Sequence, residues 1–181
     1  MYGLVNRALI QLIETRHGSD GWQRIKTRAG TDVDVFLSMQ TYPDATTVAL
    51  VVAAAEELGT SAGALLQEFG EYWVEYAAEH GYRDLLQARG DSLFAFIARL
   101  DDLHSRLSLV FSELRPPSFK TELLGAREMR LHYVSERAGL APFVIGLLHG
   151  LARLFRQPLE VEHVGQRSED CPHDEFLVRM V

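Results

Sequence analysis

The chain contains a single cysteine, Cys171, so no disulfide can close within it and nothing in it calls for an oxidising compartment. It has no run of lysine and arginine. Its 18 basic residues are scattered among 25 acidic ones, and the formal charge of −7 repels phosphate backbones, which argues against nucleic acid as a partner. No apolar stretch approaches the roughly 20 residues that a membrane span needs. The longest, Ala141 to Phe155, carries His149 and Arg153. The opening Met1-Tyr2-Gly3-Leu4-Val5-Asn6-Arg7 lacks the basic-then-apolar layout of a secretion signal. Internal repeats, low-complexity segments and long linkers are also missing. These absences point to a cytoplasmic protein without a membrane partner.

What is present is an ordinary globular composition, 47% hydrophobic and 24% charged over 181 residues. That length suits one domain, 1–181, with a core that forms without disulfide or metal staples. Leu4, Val5, Ala8, Leu9, Leu12 and Ile13 recur at helical spacing up to a stop at Gly18, and a second helical segment runs from about Ser19 to Arg28. Further helices are expected from about Thr46 to Leu58 before Gly59, and from a Ser61 cap to His80 before Gly81. Another begins near Asp91 and sets Phe94, Ile97, Leu100, His104, Leu107 and Phe111 on one continuous face. Arg115-Pro116-Pro117-Ser118 ends it, because proline lacks a backbone donor and biases its predecessor toward extended geometry.

Beyond the prolines the period changes from helical to alternating. Arg127 to Arg137, Leu159 to Val164 and Phe176 to Val181 read as strands, with a helix from about Pro142 to Phe155 after the first. The expected fold class is α+β: a mainly helical N-terminal part and a C-terminal lobe with a small antiparallel sheet.

Two features carry chemistry. His104 stands in an apolar stripe, where its ring nitrogens need either a backbone partner or a metal, and position alone leaves both open. Tyr133, Ser135 and Arg137 are spaced by two on an expected strand, so their side chains share a face. Such a trio can grip a pair of carboxylates, the guanidinium as a planar fork and the hydroxyls as neutral donors, or it can simply be a solvated strand face.

Together these residues carry a resemblance. Met1-Tyr2-Gly3-Leu4-Val5-Asn6, Gly70-Glu71-Tyr72-Trp73, Leu100-Asp101-Asp102-Leu103-His104, Arg115-Pro116-Pro117-Ser118-Phe119 and Tyr133-Val134-Ser135-Glu136-Arg137 follow the order and spacing of the H-NOX family. These are haem domains that bind nitric oxide or oxygen, and they include the regulatory region of the soluble guanylate cyclase beta subunit. The resemblance covers essentially the whole chain. It implies an H-NOX fold with haem b buried between the two parts, His104 as the proximal iron ligand, and Tyr133, Ser135 and Arg137 on the propionates. Pro117 matches the proline that presses on the porphyrin, and Tyr2, Val5, Leu9, Leu100 and Leu147 would wall the pocket.

Oxygen-binding members resemble one another in a distal tyrosine. Leu140-Ala141-Pro142-Phe143 supplies no hydroxyl, so Phe143 implies a pocket for nitric oxide and carbon monoxide. Trp73 could donate toward that pocket or merely fill space, and Tyr72 and Tyr76 are expected to face elsewhere. The resemblance further implies a non-enzymatic sensor that signals in trans, to a histidine kinase or a cyclic-di-GMP enzyme, when the His104–iron bond breaks. A haem enzyme consuming nitric oxide or peroxide is the alternative, and a helical interaction module without cofactor is a third reading. His163, Cys171 and His173 fall where some relatives hold a structural zinc, but one cysteine does not make the usual closed set. His17, His80, His132 and His149 have no companions at metal-ligand spacing. Asp101 and Asp102 read as solvent-side helix residues.

Overall fold

The computed structural model describes residues 1–82, 92–169 and 171–181. Three helices, α1 (Gly3–Arg28), α2 (Asp44–Leu58) and α3 (Ala62–Ala77), build the N-terminal part. The two segments expected before Arg28 are joined without a loop, and the chain kinks between them at Gly18, whose φ of 76° suits glycine. Gly59 ends α2 in the left-handed conformation, and the Ser61 hydroxyl accepts from the Ala64 N–H at 3.1 Å to cap α3. At its C-terminal end α3 widens into a π-turn over Ala78–Tyr82.

The stripe through His104 is not one helix. It divides into α4 (Leu93–Ile97) and α5 (Leu100–Leu107), with the turn tightened at Ala98 and Arg99, where the Arg99 N–H donates to the Phe96 carbonyl. Leu93, Phe94, Phe96 and Ile97 are buried in α4, and Leu100 and Leu103 continue the buried face in α5 after the tightened turn. The expected start near Asp91 lies outside the described residues.

The C-terminal lobe holds β1 (Ser118–Gly125), β2 (Glu128–Val134), α6 (Ala141–Phe155), β3 (Leu159–Gly165) and β4 (Asp174–Met180). The sheet has four antiparallel strands in the order β1-β2-β4-β3, one more than the sequence pattern suggested. β1 escaped notice because it is an edge strand with Phe119 as its only buried side chain; charged residues on such an edge discourage pairing with other chains. β2 also stops short of the expected Arg137. Ser135 and Arg137 lie past its end, where the Ser135 hydroxyl accepts from the Arg137 N–H at 3.1 Å and turns the chain.

Two apolar cores result. Leu9, Ile13, Ile25, Leu50, Leu65 and Phe69 fill the first, among α1, α2 and α3; Phe96, Ile97, Leu131, Leu148, Phe176 and Val178 fill the second, between α4, α6 and the sheet. The cores meet where α3 crosses α6 at glycines. A Cβ on Gly146 would stand 1.8 Å from the Gln67 carbonyl oxygen, and one on Gly70 2.2 Å from that of Phe143, so the backbones touch. Among the described residues, no single helix is long and apolar enough to cross a membrane.

Candidate functional site

A cavity of about 720 Å³ opens between the two parts, within the range of a cofactor pocket. Its wall is drawn from nearly every element: Met1, Tyr2 and Val5 at the chain start, Thr47 and Val51 from α2, Phe69 and Trp73 from α3, Leu100 and His104 from α5. The Pro116-Pro117 segment, Tyr133, Arg137, Phe143 and Leu147 also line it. Of the residues singled out in the sequence, Tyr2, Val5, Trp73, Leu100, His104, Pro117, Tyr133, Arg137, Phe143 and Leu147 therefore share one cavity. Leu9 is fully buried in the first core instead, where the inner face of α1 turns it away from the wall. Ser135 is also outside the wall; its hydroxyl accepts from the Arg137 N–H in the turn there.

His104 is the most telling group. Its Nδ1 is buried and has no hydrogen-bond partner among the described residues, a state that costs about 1–3 kcal/mol unless something fills it. Burial pushes its pKa down, against the opposing pull of the Asp101 carboxylate and the Pro117 backbone, so the imidazole is neutral near pH 7. Neutral imidazole is the form that coordinates metal.

Asp101, far from being a free solvent-side carboxylate, fixes where His104 sits. It accepts from the Ser118 hydroxyl and from the Phe119 N–H, both at 2.6 Å, and so staples α5 to the start of β1. Phe119 lies opposite Tyr133 in the β1–β2 ladder, and its ring stands 5.7 Å from His104 and 5.3 Å from Tyr133. A carboxylate one turn before the histidine was visible in the sequence, but its partners depended on a strand that was not.

Burial raises the Tyr133 phenol above its ordinary pKa, with Ser135 and Arg137 working the other way, so the phenol stays protonated and can donate. Arg137 donates from Nε to Asp44 Oδ2 at 2.8 Å and from Nη1 to the Arg115 carbonyl at 3.0 Å. Asp44 also accepts from the Met1 ammonium at 2.6 Å. Burial pushes the Asp44 carboxyl up, but these two cations outweigh it and hold its pKa below the ordinary 3.8. Arg167, another residue the sequence pattern did not mark, braces the same turn: its Nη1 donates to the Ser135 carbonyl at 2.8 Å and to that of Arg137 at 3.3 Å.

Three hydroxyls of the wall are tied to neighbouring groups. Tyr2 accepts from the Glu113 N–H at 3.0 Å, Thr41 donates to Glu113 at 2.8 Å, and Thr47 donates to the Asn6 side-chain oxygen at 2.7 Å. Tyr72 and Tyr76 are not in the wall; Tyr76 is buried against Trp73 and His80. Around Phe143 the lining is aromatic, with the Phe69 ring 5.3 Å away.

These residues fit a flat, dicarboxylic, iron-bearing macrocycle. The space is large and mainly apolar, a neutral imidazole with one unpartnered nitrogen stands in its wall, and a guanidinium and a protonated phenol line its polar end. The zinc set considered near the C-terminus is not gathered: His163 Nε2 pairs with Asp174 Oδ1 at 3.0 Å, apart from Cys171 and His173. His132, by contrast, does have companions, His173 and Glu175, which the β2–β4 register brings to it.

Comparison with known proteins agrees with this geometry. Soluble guanylate cyclase gcy-35 of Caenorhabditis elegans is 29% identical over 176 residues, which cover 94% of this chain and 25% of that protein. Guanylate cyclase soluble subunit beta-2 of Rattus norvegicus is 40% identical over 121 residues, 64% of this chain and 18% of that one. The chain thus spans a quarter or less of the length of these relatives. An H-NOX protein from S. oneidensis in the Fe(II) ligation state has the same fold, with a TM-score of 0.91 at 19% identity over 100% of this chain and 96% of that one. The Fe(II)NO state of an H-NOX protein from S. oneidensis gives 0.89 at 20% identity, over 100% and 99% of the two chains. Residues 2–163 match the family described as haem-NO-binding, and the chain belongs to that family of haem-binding gas-sensor domains.

Proposed function

We propose that this domain, 1–181, binds haem b through His104 and senses nitric oxide, with carbon monoxide as a second ligand and oxygen excluded. The observation that carries the reading is a buried imidazole in the cavity wall, His104, whose Nδ1 has no partner among the described residues. When bound, ferrous haem supplies a coordination position at which a diatomic gas is taken up. Oxygen needs a donor for the negative charge it develops, whereas nitric oxide and carbon monoxide do without one. Phe143 offers none; Trp73, also in the wall, has its ring against those of Phe69 and Tyr76.

Arg137 and the Tyr133 phenol would hold the carboxylates of the macrocycle, and Ser135 shapes the turn that presents Arg137. Pro117, with its fixed φ, stiffens the wall between α5 and β1. With haem held by His104, freeing that side chain would be the switch. Because Asp101 ties α5 to Phe119, and Phe119 pairs with Tyr133, a shift of α5 is felt in β1 and β2. A partner that prefers one of the two arrangements then reads the gas. A histidine kinase or a cyclic-di-GMP enzyme acting in trans is carried into this proposal by the family resemblance alone. Sensing is preferred to catalysis because the acidic groups of the wall are engaged: Asp44 with Arg137, Glu113 with Thr41, Glu136 with Arg115 at 3.5 Å.

The test is an absorption spectrum of the anaerobically reduced protein, given nitric oxide, carbon monoxide or air in turn. Distinct shifts with the first two gases and no stable complex in air are expected. A stable oxygenated spectrum would overturn the selectivity, and no response to nitric oxide would overturn the sensor.

A further inference from the structure

The outer face of the sheet carries a cluster that the pocket does not use. β2 and β4 pair with His132 directly opposite Glu175, and residues opposite one another project from the same face. Alternation sends their neighbours Leu131, Tyr133, Asp174 and Phe176 to the buried side, so His132 and Glu175 look outward. His173, one residue ahead of β4, brings its ring to the pair.

Three atoms converge there. His132 Nδ1 lies 3.1 Å from His173 Nε2, His173 Nε2 lies 3.0 Å from Glu175 Oε1, and His132 Nδ1 lies 3.4 Å from that same oxygen. An ion held tetrahedrally by nitrogen and oxygen at about 2.0–2.1 Å has ligand-to-ligand edges of about 3.3–3.4 Å. The observed triangle is one face of such a tetrahedron to within a few tenths of an ångström. Side-chain exposures of 24–27% leave the group reachable from solvent while the ladder holds two of its members in place.

We propose that His132, His173 and Glu175 bind a divalent transition-metal ion of the zinc class, with the fourth position open to solvent. Two imidazoles and one carboxylate are the donor set that zinc accepts when one site is left free. Cys171 is not needed: its sulfur is 3.6 and 3.8 Å from the two ring nitrogens of His173 and lies outside the converging group. The site is also separate from His163, whose ring stacks on Phe176 at 4.8 Å on the other face of the sheet. A metal here would clamp β2 to the beginning of β4, just after the connection in which Arg167 braces the backbone at Ser135 and Arg137. Because only the folded chain presents the three ligands together, metal binding would raise thermal stability.

The experiment uses the full chain, stripped with a chelator, dialysed and titrated with Zn²⁺ against a competing indicator, and with Co²⁺ for its absorption spectrum. One Zn²⁺ per chain, a tetrahedral Co²⁺ spectrum and a rise in Tm with Zn²⁺ are expected. His132→Gln and Glu175→Gln should each weaken Zn²⁺ binding by at least about tenfold, while the far-UV signal shows the fold intact. Cys171→Ser and His163→Gln should bind as the parent does. The assignment is overturned if Zn²⁺ does not bind stoichiometrically, if His132→Gln and Glu175→Gln both leave binding unchanged, or if Cys171→Ser abolishes it.

Discussion

The two parts of the molecule meet along two lines of opposite character. On one line α3 and α6 touch backbone to backbone at Gly70 and Gly146, with no room for a methyl group. On the other, across the cavity, the contact is polar: Asp44 at the start of α2 holds Arg137 and the Met1 ammonium, and Thr41 reaches Glu113. Close-packed glycine contacts have one good arrangement, whereas half-exposed ion pairs exchange for water at little cost. The first line therefore acts as a pivot and the second as a latch. The cavity with His104 lies between them.

Four measurements sharpen or break this contrast. The largest effect falls on the pivot. Gly146→Ala should cost about 3 kcal/mol, because the added methyl must displace the Gln67 carbonyl, and urea unfolding measures it. A cost below that of the latch variants would remove the distinction. Next, Arg137→Ala should speed loss of haem to a scavenger protein, in line with the roughly 1.5–3 kcal/mol of a hydrogen bond to a charged group. Wild-type haem retention would remove Arg137 from the grip. Third, Asp44→Asn should change stability by less than about 1 kcal/mol, since its side chain is 45% exposed and solvent screens the pair.

The smallest effect is one of pH. The Asp44 carboxyl is held below its ordinary 3.8, so its stabilisation is complete above that value and is lost as the pH falls through the lower folded value. Between pH 6 and pH 3, wild type should therefore lose slightly more Tm than Asp44→Asn. Parallel curves would show that the latch contributes nothing.

Much of this architecture could be read from the sequence, and the failures have physical causes. Gly18, Gly59 and the Ser61 cap marked helix ends because such signals act over a few residues. His104, Pro117, Tyr133 and Arg137 came out at one cavity because their spacing repeats a family pattern. The break at Ala98 and Arg99 did not show, since the apolar period continues across it and only tertiary burial decides where the helix bends. β1 hid behind its charged, exposed residues, and with it went the partners of Asp101. The His132, His173 and Glu175 group was invisible for a related reason. His132 and His173 are 41 positions apart, and only the β2–β4 register brings them together.

The central claim is that His104 holds the haem. The most direct measurement is haem content and ferrous absorption of His104→Gly, purified with and without imidazole. The account predicts little haem without imidazole, and recovery of loading with a five-coordinate, imidazole-ligated spectrum when it is supplied. Haem loading and a ferrous spectrum equal to wild type without imidazole would contradict it.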